Sequence, residues 1–115
     1  MPEQTLPKDK TALSKLYQDT IDYHRDYLNR LHEAFNQHCE AIGAKAKDQL
    51  SKIDESDEEK RKEILVTEQK DLDEALTQLK TAINQNNADA RKKLEEIQNK
   101  IEESAMDLEA ELAKL

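Results

Sequence analysis

Apolar side chains recur every three or four residues along most of this chain, and that rhythm marks amphipathic helix. From about Thr11 to Ile53, nine of them fall within about 40° of one direction when each residue advances by about 100°. They are Leu13, Tyr17, Ile21, Leu28, Leu31, Phe35, Ile42, Ala46 and Ile53. Asp19, Asp22, Arg25, Asp26, Arg30 and Glu33 keep to the other side. Disorder does not produce such a stripe, so a first helix is predicted over residues 11–53. Its one weak point is Gly43, at a cost of about 1 kcal/mol relative to Ala. Residues 1–10, with Pro2 and Pro7, precede the stripe and read as a flexible segment.

The stretch SKIDESDEEKRK interrupts the pattern. Ser56 followed by Glu59 fits a capping box, in which each side chain satisfies the other residue's backbone N–H. Asp57, Glu58 and Glu59 suit the positive end of a helix dipole. A second helix is predicted over 57–86, with Leu65, Leu72, Leu76, Leu79 and Ile83 in heptad-like spacing. The run NQNNAD, residues 84–89, reads as a boundary because Asn favours caps and turns. A third helix, 88–115, then carries Ala90, Leu94, Ile97, Ile101, Ala105, Leu108, Leu112 and Leu115.

At about 1.5 Å per residue the three helices have matched lengths if the first bends or stops near Gly43. The expectation is an all-α, antiparallel three-helix bundle running up-down-up over residues 11–115 as a single domain. The alternative keeps NQNNAD helical. A second helix of about 88 Å would then run from Asp57 to Leu115. It would bury its stripe by dimerising as a coiled coil or by folding along the first helix. Asn86 falls at a core position, where it would interrupt a seam or set its register. Monomer and homodimer stand as equal alternatives.

Composition changes the picture in one respect. Charged residues (38%) outnumber hydrophobic ones (36%), with one Gly and no Trp, which suits long helices rather than a deep globular core. The net charge of −8 is unevenly placed: residues 1–53 balance at 8 basic and 8 acidic, whereas residues 54–115 carry 10 basic and 18 acidic. An acidic surface repels phosphate backbones and anionic lipids, so nucleic acid and membrane are not expected partners. A basic or amphipathic protein helix is. The lone Cys39 allows no intramolecular disulfide, and the polar MPEQTLPKDK lacks a leader-like apolar run, so a cytoplasmic protein is expected.

Candidate chemistry concentrates in YHRDYLNRLHEAFNQHCE, Tyr23 to Glu40, which holds all three histidines, Cys39 and the only Phe. Metal ligands on one helix must be three or four residues apart. None of His24, His32 and His38 has a His, Cys or carboxylate at those offsets, so no metal or other cofactor is expected. Cys39 and His38 are adjacent and therefore diverge by about 100° around the helix, which removes a catalytic pair. No phosphate-binding loop or nucleophile elbow occurs, and an enzyme is not expected. His24 lies in the apolar stripe, where it reads as a neutral core histidine hydrogen-bonded to a partner such as a Glu or Gln from another helix, and as a candidate pH-sensitive residue. Tyr23, Tyr27 and His32 flank the stripe as a candidate interaction surface. The expected function is a non-enzymatic helical interaction or structural module, such as an adaptor, assembly factor or regulator. The alternative is a small-ligand or metal carrier with an inter-helix pocket near His24, His38 and Tyr27.

Overall fold

The computed structural model describes residues 6, 7 and 9–114, and among these there are two helices, not three. Helix α1 spans Lys10–Ser51 and helix α2 spans Glu58–Ala113. The predicted break at 84–89 is absent, because α2 runs through it. The expectation of a flexible segment over 1–10 lies outside the described residues for 1–5 and 8. Leu6 and Pro7 are half-buried.

Local chemistry fixes the ends of both helices. Asp9 caps α1: its carboxylate accepts from Thr11 N at 3.2 Å and its carbonyl from Leu13 N at 2.9 Å. At the other end no glycine is needed. Lys52 N and Ile53 N donate to the carbonyls three residues back, Gln49 and Leu50, which tightens the last turn and pairs two otherwise orphan acceptors. In the connection, Asp54 Oδ1 accepts from Ser56 N at 3.1 Å. That bond and the Ser56 hydroxyl hold the Asp54 carboxyl below its ordinary 3.8. The start of α2 differs from the capping-box expectation. Asp57 Oδ1 accepts from Lys60 N at 3.3 Å and Asp57 O from Arg61 N at 3.2 Å. The cap is therefore Asp57, one residue beyond Ser56, and Glu58 and Glu59 occupy the first turn where the dipole favours them.

Residues up to Tyr27 together with those from Gln85 onward make one compact unit, and Leu28–Asn84 make a second. In each unit a stretch of α1 faces a stretch of α2, and the less exposed positions repeat every eleven residues. In the first unit Leu13 leads to His24 on α1, and Asn86 to Ile97 on α2. In the second, Phe35 leads to Ala46 and Ile64 to Ala75. An eleven-residue repeat corresponds to about 3.67 residues per turn, close to the 3.6 of a straight helix, whereas a heptad requires 3.5.

This periodicity corrects the heptad reading of α2. Leu65 and Leu76, expected in the seam, are exposed. Ala75 is buried, and Ile64, Leu72 and Leu79 are half-buried. A helix with one neighbour buries a narrow stripe, so leucines one position off that stripe lie open. A third helix would have covered them.

The continuity of α2 through 84–89 has a physical cause. Three asparagines cost at most about 0.7 kcal/mol each relative to Ala in a helix interior, about 2 kcal/mol in all. Continuing the helix keeps one backbone hydrogen bond per residue and keeps Ile83 and Ala90 on the buried face. The side chains also stop competing with the backbone: Gln85 Nε2 donates to Asp89 Oδ1 at 2.9 Å, and the Asn86 amide is engaged by α1. Neither glycine nor proline occurs anywhere in α2.

Candidate functional site

The polar centre of the first unit is a residue pair 62 positions apart in sequence. His24 Nδ1 lies 2.7 Å from Asn86 Oδ1, and Asn86 Nδ2 donates to the His24 backbone carbonyl at 3.2 Å. The two contacts decide each other's polarity. A backbone carbonyl only accepts, so the amide nitrogen must face it. The amide oxygen then faces the ring, and Nδ1 must carry a proton to donate. Both the Nδ1–H neutral tautomer and the imidazolium meet that requirement. Asn86 is buried and His24 half-buried, so this is a hydrogen-bonded polar insert in an apolar seam.

The pair also reports how the helices are aligned. Eleven residues back along α1 and eleven forward along α2 lie Leu13 and Ile97, which among the described residues are the two side chains with no exposure at all. Opposite steps from the bonded pair to these two buried residues match an antiparallel register. Thr20, also buried, returns its hydroxyl to Leu16 O at 2.7 Å, a bond within its own helix that leaves the seam free of further polar demands.

Tyr23 presents its ring to the His24 imidazole edge-on, with centroids 5.2 Å apart and planes at 89°, yet the tyrosine itself is 67% exposed. Tyr27, one turn further along the same helix face, is 43% exposed. The structure thus brings together Tyr23, His24 and Tyr27 of the candidate residues. His32 belongs to the second unit and is exposed.

In that unit, Leu31, Ala34, Phe35 and His38 of α1 line an open groove of about 380 Å³ with Ala75, Gln78, Leu79 and Ala82 of α2. His38 is its imidazole, and the remaining lining is mostly apolar. Cys39 is half-buried and free.

The chemistry this arrangement supports is packing and hydrogen bonding. The partner of His24 is an amide, which neither takes up a proton nor attacks a substrate. Among the described residues, no group of three or more His, Cys, Asp or Glu is placed to hold a metal ion. No described helix is long and apolar enough to cross a membrane. Ion pairs such as Arg25–Asp22 at 4.0 Å join exposed side chains about one turn apart within α1, where such pairs contribute little.

The sequence reveals Asn86 only in part. Its core position is legible, yet its run of asparagines reads as a boundary, and the partner expected for His24, a Glu or Gln of another helix, is instead this Asn. A polar residue at a seam position on each of two helices was the available signal that the two would pair. Compared with protein families, curated proteins and solved structures, the chain matches none.

Proposed function

We propose that the chain is a non-enzymatic helical module that acts through protein contact in the cytoplasm, as an adaptor, assembly factor or regulator. One observation carries this reading: among the described residues, more large apolar side chains are open than buried. Leu13, Ile42, Ala46, Ala75 and Ile97 form the buried core, two of them alanines. Tyr23, Tyr27, Leu65, Val66, Leu76, Met106, Leu108 and Leu112 are exposed. Single exposed hydrophobes are ordinary. Here, however, Tyr23 and Tyr27 share one helix face beside the seam, and amphipathic rings in such a position suit a contact surface.

Helix-face packing is the mechanism: a partner helix lies against the Tyr23–Tyr27 face, and the acidic excess of residues 54–115 selects partners by charge. The test is affinity capture by the wild-type chain and by Tyr23→Ala/Tyr27→Ala, with melting curves for both. A partner retained by the first, lost by the second at equal stability, and released by salt supports the reading. Stoichiometric stabilisation by a small molecule or metal ion, with no protein captured, would replace it with the carrier reading.

A further inference from the structure

The seam of the first unit does not stop where α1 stops. On α2 the less exposed positions 86, 90, 93, 97 and 101 have spacings of four, three, four and four. The same spacings follow eleven residues later at 97, 101, 104, 108 and 112, occupied by Ile97, Ile101, Ser104, Leu108 and Leu112. Burial nevertheless ends. Ile97 is wholly buried and Ile101 half-buried, whereas every described residue from Ala105 onward is exposed, Leu108 at 57% and Leu112 at 59%.

The register explains the change. One-for-one pairing outward from His24 and Asn86 brings Lys10, the first residue of α1, opposite Lys100. Helix α2 therefore continues past the first residue of α1 with the seam pattern intact and, among the described residues, no helix to cover it.

Charge narrows what could cover it. Residues 102–114 carry Glu102, Glu103, Asp107, Glu109 and Glu111 against a single Lys114. Helical spacing places Asp107 and Glu111 along one edge of the Leu108–Leu112 stripe and Glu109 along the other. A second copy docked through the same face would set these carboxylates against their equivalents, and like charges in direct opposition are unfavourable. A helix with apolar residues at matching spacing and lysines on both flanks meets apolar with apolar and acid with base.

We infer that the α2 segment Ala105–Ala113, through Leu108 and Leu112, is a docking site for a basic amphipathic helix of another protein, which takes the place that α1 occupies further along the seam. This rests on the interaction-module reading and gives it a second face, separate from Tyr23 and Tyr27.

The test titrates a synthetic peptide into the full, isotope-labelled chain and follows backbone amide shifts. The peptide carries leucines in four-three-four spacing with lysines at the flanking positions. The expected result is saturable binding with shifts concentrated over residues 101–114. A scrambled peptide of equal composition should bind at least about tenfold more weakly, since charge alone does not set the apolar register. Leu108→Ser/Leu112→Ser should weaken binding by a similar factor. These two side chains already face water, so the melting temperature should stay unchanged. Binding should also weaken steeply with added salt.

Shifts centred on Tyr23 and Tyr27 would overturn this inference while leaving the interaction reading in place. Equal binding of the scrambled peptide, or no binding at all, would also overturn it, and the interaction reading would then stand or fall on the capture experiment with Tyr23→Ala/Tyr27→Ala. Concentration-dependent self-association abolished by Leu108→Ser/Leu112→Ser would identify a second copy as the occupant, and the inference would be wrong.

Discussion

At the scale of single residues, the decisive event is the meeting of one imidazole with one amide. Removing half of it should cost more than the bond itself contributes. Asn86→Ala leaves the His24 Nδ1–H facing an apolar gap, and an unsatisfied donor of this kind costs about 1–3 kcal/mol. His24→Ala should cost less, because the Asn86 amide keeps its bond to the backbone carbonyl of residue 24. A double-mutant cycle by urea unfolding should return a coupling of about 0.5–3 kcal/mol. Additive losses would mean that the two side chains do not depend on each other. Asp54 offers a separate test through pH. The Ser56 backbone N–H, and then its hydroxyl, hold the folded carboxyl below its ordinary 3.8. The folded state therefore favours the ionised form, and that contribution is present above pH 3.8. It fades as pH falls through the lowered folded value. The stability difference between wild type and Asp54→Ala should accordingly be largest near neutrality and vanish in acid. A gap that widens on acidification would contradict the sign.

Single elements show where local sequence speaks plainly and where it is overruled. Gly43 sits inside α1 at negative φ, and an added Cβ would meet nothing within 4 Å. Gly43→Ala should therefore stabilise by about 0.5–1 kcal/mol through helix propensity and a less free unfolded chain, visible as a raised melting temperature. The stripe along α1 was legible because every third or fourth residue reports it: Leu13 in the first unit and Ile42 and Ala46 in the second are buried as expected. Residues 84–89 misled for the opposite reason. What engages the Asn86 side chain within the helix is His24, 62 positions away, and no reading of local propensity contains that contact. Heptad leucines misled differently. Leu65 and Leu76 have a helical spacing, but spacing does not say how wide a stripe one neighbouring helix covers. Continuity of α2 has a sharp test at Asn87, which is exposed. Asn87→Pro removes a helical hydrogen bond and clashes with the preceding turn, at about 3 kcal/mol or more, whereas a loop at this place would tolerate proline. Urea unfolding distinguishes the two, and an unchanged midpoint would restore the third helix.

For the molecule as a whole, the eleven-residue repeat creates an ambiguity that the polar pair removes. Sliding one helix past another by a full repeat brings equivalent apolar positions back into contact, so hydrophobic burial alone hardly distinguishes the registers. Within one chain the short connection of residues 52–57 restrains such a slip, but no connection restrains pairing between two chains. In a slipped pairing, His24 and Asn86 would each face apolar side chains with no bond, at about 1–3 kcal/mol for each unsatisfied group. A buried polar residue that fixes register at a cost in stability is well attested in coiled coils. Replacing both partners, as in His24→Leu/Asn86→Leu, removes the penalty from every arrangement together, and exchange of a matched polar pair for apolar groups is often neutral or stabilising. The double variant should therefore melt at or above the wild-type temperature while its mass distribution by light scattering broadens toward dimers and larger species as concentration rises. Asn86→Ala alone should be less stable without gaining such species, since His24 still penalises each slipped pairing. A double variant that matches the wild type in mass at every concentration would show that register is set elsewhere along the seam. The imidazole–amide pair would then be a stability element alone.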